Sequence, residues 1–102
     1  DTLERLEQSR KIKAFMDSVD SPKILCGDFN LLPDTESLKI IEGGLRNLIR
    51  EYGVTSTRTS FYTKPDKFAD YVFVSPEIKV VDFKVLPDEV SDHSPLLLEF
   101  EV

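Results

Sequence analysis

The stretch KILCGDFN, residues 23–30, carries the reading of the fold. Lys23 to Phe29 reads as a short strand, and its apolar run Ile24-Leu25-Cys26 implies burial on both faces, with Cys26 as a small core residue. Gly27-Asp28-Phe29-Asn30 closes it with the residues of a turn. Upstream, Asp1 to Asp20 reads as a helix with Thr2 or Asp1 as its N-cap. Ile12, Phe15, Met16 and Val19 fall on one stripe, while Glu4, Arg5, Glu7, Lys11 and Lys13 are free to face water. Ser21-Pro22 stops this helix, because the residue before proline avoids the helical region. Downstream, Thr35 or Asp34 caps a helix over Glu36 to Glu42, ended by Gly43-Gly44. Leu45 to Tyr52 gives a helical turn or two before Gly53, and the polar segment Val54 to Lys67 has no clear period.

Three strand-like runs follow, Ala69 to Ser75, Ile78 to Leu86 and Pro95 to Val102. The last alternates, with Leu96, Leu98, Phe100 and Val102 on one face. In the middle run the alternation slips by one residue, which predicts a β-bulge near Val80. The order α-β-α-(α)-β-β-β predicts an α/β (α+β) domain, helices on one face of one mixed or antiparallel sheet.

At 102 residues one domain is the ceiling, here the whole span 1–102. The balance of 13 Lys and Arg against 19 Asp and Glu gives −6, which argues against a protein holding nucleic acid by charge alone. The single Cys excludes an internal disulfide framework and a multi-Cys zinc site, and fits a reduced, cytoplasmic setting. The longest apolar stretch, Leu96 to Leu98, is far short of the roughly 20 residues that span a bilayer.

Three polar clusters stand at strand ends: Gly27-Asp28-Phe29-Asn30, then Asp70 at the start of a strand, then Ser91-Asp92-His93-Ser94 before the last one. Taken singly, the first and third are ordinary turn sequences. Asp70 is less ordinary, since a carboxylate inside a strand either faces solvent or has a specific donor, and His93 is the chain's one histidine. Asp28 and Asn30, two apart, would point the same way from an extended chain.

Taken together, the clusters resemble the C-terminal half of the endonuclease/exonuclease/phosphatase superfamily, the DNase-I-like metal-dependent phosphoesterases. Gly27 to Asn30 matches the family's GDFN, Asp70-Tyr71-Val72-Phe73-Val74-Ser75 its aspartate strand, and Ser91-Asp92-His93 with Pro95 its closing SDH.P. The resemblance implies half of a four-layer α/β sandwich in an apparently truncated domain. It implies a metal-dependent phosphoesterase: a nuclease, or a lipid or small-molecule phosphodiesterase. Asp28 would orient the attacking water, Asn30 bind the phosphate, His93 donate to a phosphate oxygen and Asp70 hold His93. Asp92 would help to hold Mg²⁺ or Mn²⁺. Arg58, with Tyr62, Lys64 and Lys67, lies where such proteins place substrate-contacting loops, although a solvated loop reads equally well.

The family's metal-binding glutamate comes from an N-terminal half that has no counterpart here. The expectation is therefore a fragment or split half, close to inactive alone, completed by that half or by a homodimer through the inner sheet face. The alternative is a non-catalytic interaction module on the same scaffold. Retention of five polar groups weighs against it.

Overall fold

The computed structural model describes residues 2–102. Helix α1 (Leu3–Ser18) starts at Thr2, whose hydroxyl accepts from the Arg5 N–H at 3.1 Å. Asp1, the alternative cap, lies outside the described residues. The Lys23 ammonium donates to the Met16 and Val19 carbonyls at 2.6 and 2.8 Å, setting a cation at the negative end of the helix. The buried line of α1 runs through Ser9, Ile12 and Met16, where small Ser9 sits against its surroundings without a bulky side chain. Phe15, expected on that stripe, is 67% exposed. It stands one residue, about 100° of helix rotation, off the buried line.

Helix α2 (Glu36–Glu42) forms over the expected residues. Thr35 caps it, accepting from the Leu38 N–H at 3.3 Å, and Gly44 leaves it at φ 80. Leu45 to Tyr52 resolves into a two-residue strand β2 (Arg46–Asn47) and a single turn α3 (Leu48–Glu51), stopped by Gly53 at φ 61.

Strand β1 (Ile24–Asp28) pairs antiparallel with β3 (Asp70–Val74), in register from Ile24 opposite Val74 to Asp28 opposite Asp70. β2 takes the other edge of β3, so the sheet order is β1-β3-β2. β4 (Lys79–Val85) and β5 (Leu96–Glu101) form a separate antiparallel ladder. The α+β class holds, with every pairing antiparallel, but the one expected sheet divides into two ladders. β3 has both edges taken by β1 and β2, while β4 and β5 pair with each other and not with the free edge of β1 or β2. The β4–β5 register slips between Val80 and Asp82, the bulge that the broken alternation predicts. It keeps Val80 and Phe83 both packed on the core despite the odd spacing.

That core comprises Leu38 and Ile41 of α2, Leu48 and Ile49 of α3, and Tyr71 to Val74 of β3, which is buried on both faces. The Tyr71 hydroxyl donates to the Leu31 carbonyl at 2.6 Å, which satisfies the one polar atom of a buried ring. β1 differs from expectation: Ile24 and Leu25 are half-buried and Cys26 is exposed, not core. β1 is an edge strand, and its Ile24–Cys26 side faces an open cavity of about 300 Å³ walled by Val72, Leu96 and Leu98. Among the described residues no helix is long and apolar enough to cross a membrane.

Candidate active site at the sheet end

The register puts Asp28, the last residue of β1, directly opposite Asp70, the first of β3. Two carboxylates paired this way repel unless something cationic or donating stands between them. His93 does so. Its Nδ1 lies 2.8 Å from Asp70 Oδ2, and its Nε2 lies 3.7 Å from Asp28 Oδ2.

Local turns deliver the ring there. The Ser91 hydroxyl accepts from the His93 N–H at 3.1 Å, folding Ser91-Asp92-His93 into a tight turn. The Ser94 N–H then reaches the Thr57 carbonyl at 2.9 Å, and Arg58 and His93 form an isolated antiparallel bridge. The segment 54–67, unassigned from its sequence, is thus the clamp that holds the histidine turn against β3. Fully buried Thr57 is central to it: its hydroxyl oxygen accepts from the Ala69 and Asp70 N–H groups at 3.0 and 3.3 Å. Glu89 fastens the same segment from outside, accepting from Ser60 N–H and Oγ at 2.7 Å each, and these bonds hold its carboxyl below the usual range.

Arg58 enters the cluster from this clamp. Its Nη1 is 3.1 Å from His93 Nε2 and 4.0 Å from Asp92 Oδ2, and its guanidinium carbon lies 3.8 Å over the Tyr62 ring. A guanidinium can only donate, so in this arrangement His93 Nε2 accepts and Nδ1–H donates to Asp70. The Asp70 hydrogen bond raises the His93 pKa above its ordinary value; burial opposes this, the Asp70 and Asp28 charges add to it, and Arg58 opposes it.

Asp92 is half exposed, its Oδ1 3.8 Å from His93 Nε2. Asn30 joins only through its backbone, whose N–H donates to Asp28 Oδ1 at 2.9 Å and to the Ala69 carbonyl at 3.1 Å. The shared direction expected for Asp28 and Asn30 does not occur, because the strand ends at Asp28 and Asn30 sits at φ 49. Asn is one of the few residues that tolerate this left-handed turn. Tyr62 meets the site by stacking on Arg58, whereas the Lys64 and Lys67 side chains are exposed. So Asp28, Asp70, Asp92, His93 and Arg58 converge, and the Asn30 amide stands apart from them. Sequence reading missed Thr57; a lone Thr in a polar run carries no periodic signal.

One ligand atom each from Asp28, Asp70 and His93 lies within 4.8 Å of the others, a set that could hold a metal ion. Asp92, the ligand expected from the sequence, borders that set. Asp70 is already engaged by His93, which leaves the exposed carboxylates of Asp28 and Asp92 as the free hard-oxygen donors. Those suit Mg²⁺ or Mn²⁺, which are held by one or two carboxylates with water and phosphate completing the shell.

A model of the Endonuclease/Exonuclease/phosphatase family matches residues 1–93. Among solved structures, the mannosyl-6-phosphatase Bt3783 of Bacteroides thetaiotaomicron VPI-5482 superposes with a TM-score of 0.74 at 25% identity. The match covers 100% of this chain and 47% of that one, so the chain spans about half its length. That neighbour has a DNase-I-like fold. No curated protein matches the chain.

Proposed function

The chain belongs to the Endonuclease/Exonuclease/phosphatase family, and from that premise we propose that it supplies half of a metal-dependent phosphoester hydrolase site. One observation carries the reading: His93 is held at 2.8 Å by Asp70, at a sheet end where Asp28, Asp92 and Arg58 also meet. A structural pair would need only one carboxylate. Here two more are left exposed beside the ring, which serves a ligand rather than the core.

In this reading Asp70 fixes the ring and favours its protonated form, and His93 donates to a non-bridging phosphate oxygen. Asp28, whose second oxygen is occupied by the Asn30 N–H, orients the attacking water and draws its proton. The Asn30 side-chain amide, which makes no hydrogen bond within the cluster, would have to turn to meet the phosphate, and Arg58 would contact substrate. Asp92, with Asp28, would hold the divalent cation. Bound Mg²⁺ or Mn²⁺ supplies Lewis-acid stabilisation of the phosphoryl oxygens.

The rest of the site is proposed to come from the other half of a domain of which residues 1–102 form the C-terminal part, in a cytoplasmic setting. The open cavity lined by Ile24, Cys26, Val72, Leu96 and Leu98 supports this, as the face such a half, or a second copy, would cover. The Bacteroides neighbour being a mannosyl-6-phosphatase supports phosphate-ester hydrolysis over a purely structural role.

The test is hydrolysis of p-nitrophenyl phosphate and bis(p-nitrophenyl) phosphate in Mg²⁺, by the chain alone and mixed with the part of the Bacteroides protein outside the match. Expected is little turnover alone, and Mg²⁺-dependent turnover in the mixture that His93→Ala abolishes. Turnover unchanged by His93→Ala would overturn the reading.

A further inference from the structure

Arg58 is the buried group of the cluster whose bonding is incomplete. Its side chain is only 8% exposed, yet a buried guanidinium ordinarily faces a carboxylate at close range. Here the nearest carboxylate oxygen, Asp92 Oδ2, is 4.0 Å away, at the outer limit of an ion pair. The closest acceptor is a ring nitrogen, His93 Nε2 at 3.1 Å, and the Arg58 Nε is buried with no partner at all. A planar cation with five donors therefore has one satisfied, in a place where few water molecules reach it.

It is also held still. Tyr62 stacks on the guanidinium at 3.8 Å, the Ser56 hydroxyl accepts from the Arg58 N–H at 3.0 Å, and the backbone bridge ties Arg58 to His93. A preorganised, under-bonded cation beside a proposed phosphate-binding imidazole is a receptor for additional anionic oxygens.

We infer that Arg58 determines the substrate class of this site, receiving the terminal oxygens of a phosphate monoester in preference to a phosphodiester. This deepens the phosphoesterase reading and rests on it. Once the ring carries its second proton, an oxygen entering between Arg58 and His93 takes a hydrogen bond from each and replaces their mutual contact. A diester offers two non-bridging oxygens and one charge. A monoester offers three terminal oxygens and, above a second pKa near 6, close to two charges. The permanent charge of Arg58 gains most from the second. Polynucleotides, the commonest diesters, would also require a row of cations for flanking phosphates. Among the described residues Arg58 is the only Lys or Arg that contacts the cluster, and the chain carries a net charge of −6.

The experiment titrates phenyl phosphate and diphenyl phosphate, at pH 8 with Mg²⁺ present, into ¹⁵N-labelled chain while the His93 ring and Arg58 Nε signals are followed. Expected is about tenfold tighter binding of phenyl phosphate, the effect of roughly one charge-assisted hydrogen bond. Arg58→Gln should erase that preference. Arg58→Lys, which keeps the charge but not the fork and serves if the Gln variant misfolds, should shrink it severalfold. Equal affinity of the wild type for both esters, or a preference that survives in the variants, overturns the inference while leaving the phosphoester site standing. Absence of any shift at His93 and Arg58 with either ester overturns the site reading as well.

Discussion

The pairing of Asp70 with His93 ties a titration to the fold. His93 is the chain's one histidine, so its ring signals report the pair without ambiguity. Its folded pKa is raised, chiefly by the Asp70 hydrogen bond. A group raised in the folded state stabilises that state fully at pH values below its unfolded pKa, about 6.5, and loses the contribution as pH climbs through the folded value. The expected outcome is a His93 NMR titration midpoint above 6.5, returning toward it in Asp70→Asn. In urea unfolding, the wild type's advantage over Asp70→Asn should shrink as pH rises through that midpoint, and an advantage that grew with pH would contradict the pairing. In an active assembly Asp70→Asn should cost about 10²-fold in kcat through a misheld ring. Asp28, Asp70, Asp92 and His93 were legible as residues because each stands at a strand end, where spacing alone shows it. The placing of Asn30 was not legible. Its side-chain direction depends on one left-handed φ that neither neighbour dictates.

Among the elements, the segment 54–67 was the blank in the sequence and proves to be the clamp of the site. Its contacts are single hydrogen bonds to distant backbone, from Thr57 to β3 and from Thr59 to Asp92, and such bonds leave no hydrophobic period to read. Thr57→Val tests it. The substitution keeps the shape but leaves the fully buried Ala69 N–H without an acceptor, which should cost about 1–3 kcal/mol in urea unfolding. It should also broaden the His93 signals, since Asp70 starts from the same backbone. A variant as stable as wild type would show that the clamp is incidental. By contrast the span of α2 with its Gly43-Gly44 stop, a cap at Thr35 or Asp34, and a bulge near Val80 were legible, because caps and alternation are local. The division into two ladders was not. Which strand already fills the edges of β3 is a tertiary fact.

For the whole molecule, the cavity walled by Ile24, Cys26, Val72, Leu96 and Leu98 is an apolar face that stays open among the described residues. Its strand pattern was legible. That it stays uncovered was legible only through the family resemblance, because periodicity shows an apolar face without showing what covers it. Light scattering at high micromolar concentration should show association in the absence of a complementary half, and a clean monomer would remove the homodimer from consideration. Asp28, Asp92 and His93 are proposed to form one metal and phosphate site at the sheet end. Mn²⁺ titrated into ¹⁵N-labelled chain tests it most directly, by paramagnetic broadening. Signals of Asp28, Asp92 and His93 should broaden first, with weak affinity; Mg²⁺ should compete, and Asp28→Asn with Asp92→Asn should abolish the effect. Broadening centred elsewhere, or indifferent to those two substitutions, would contradict it.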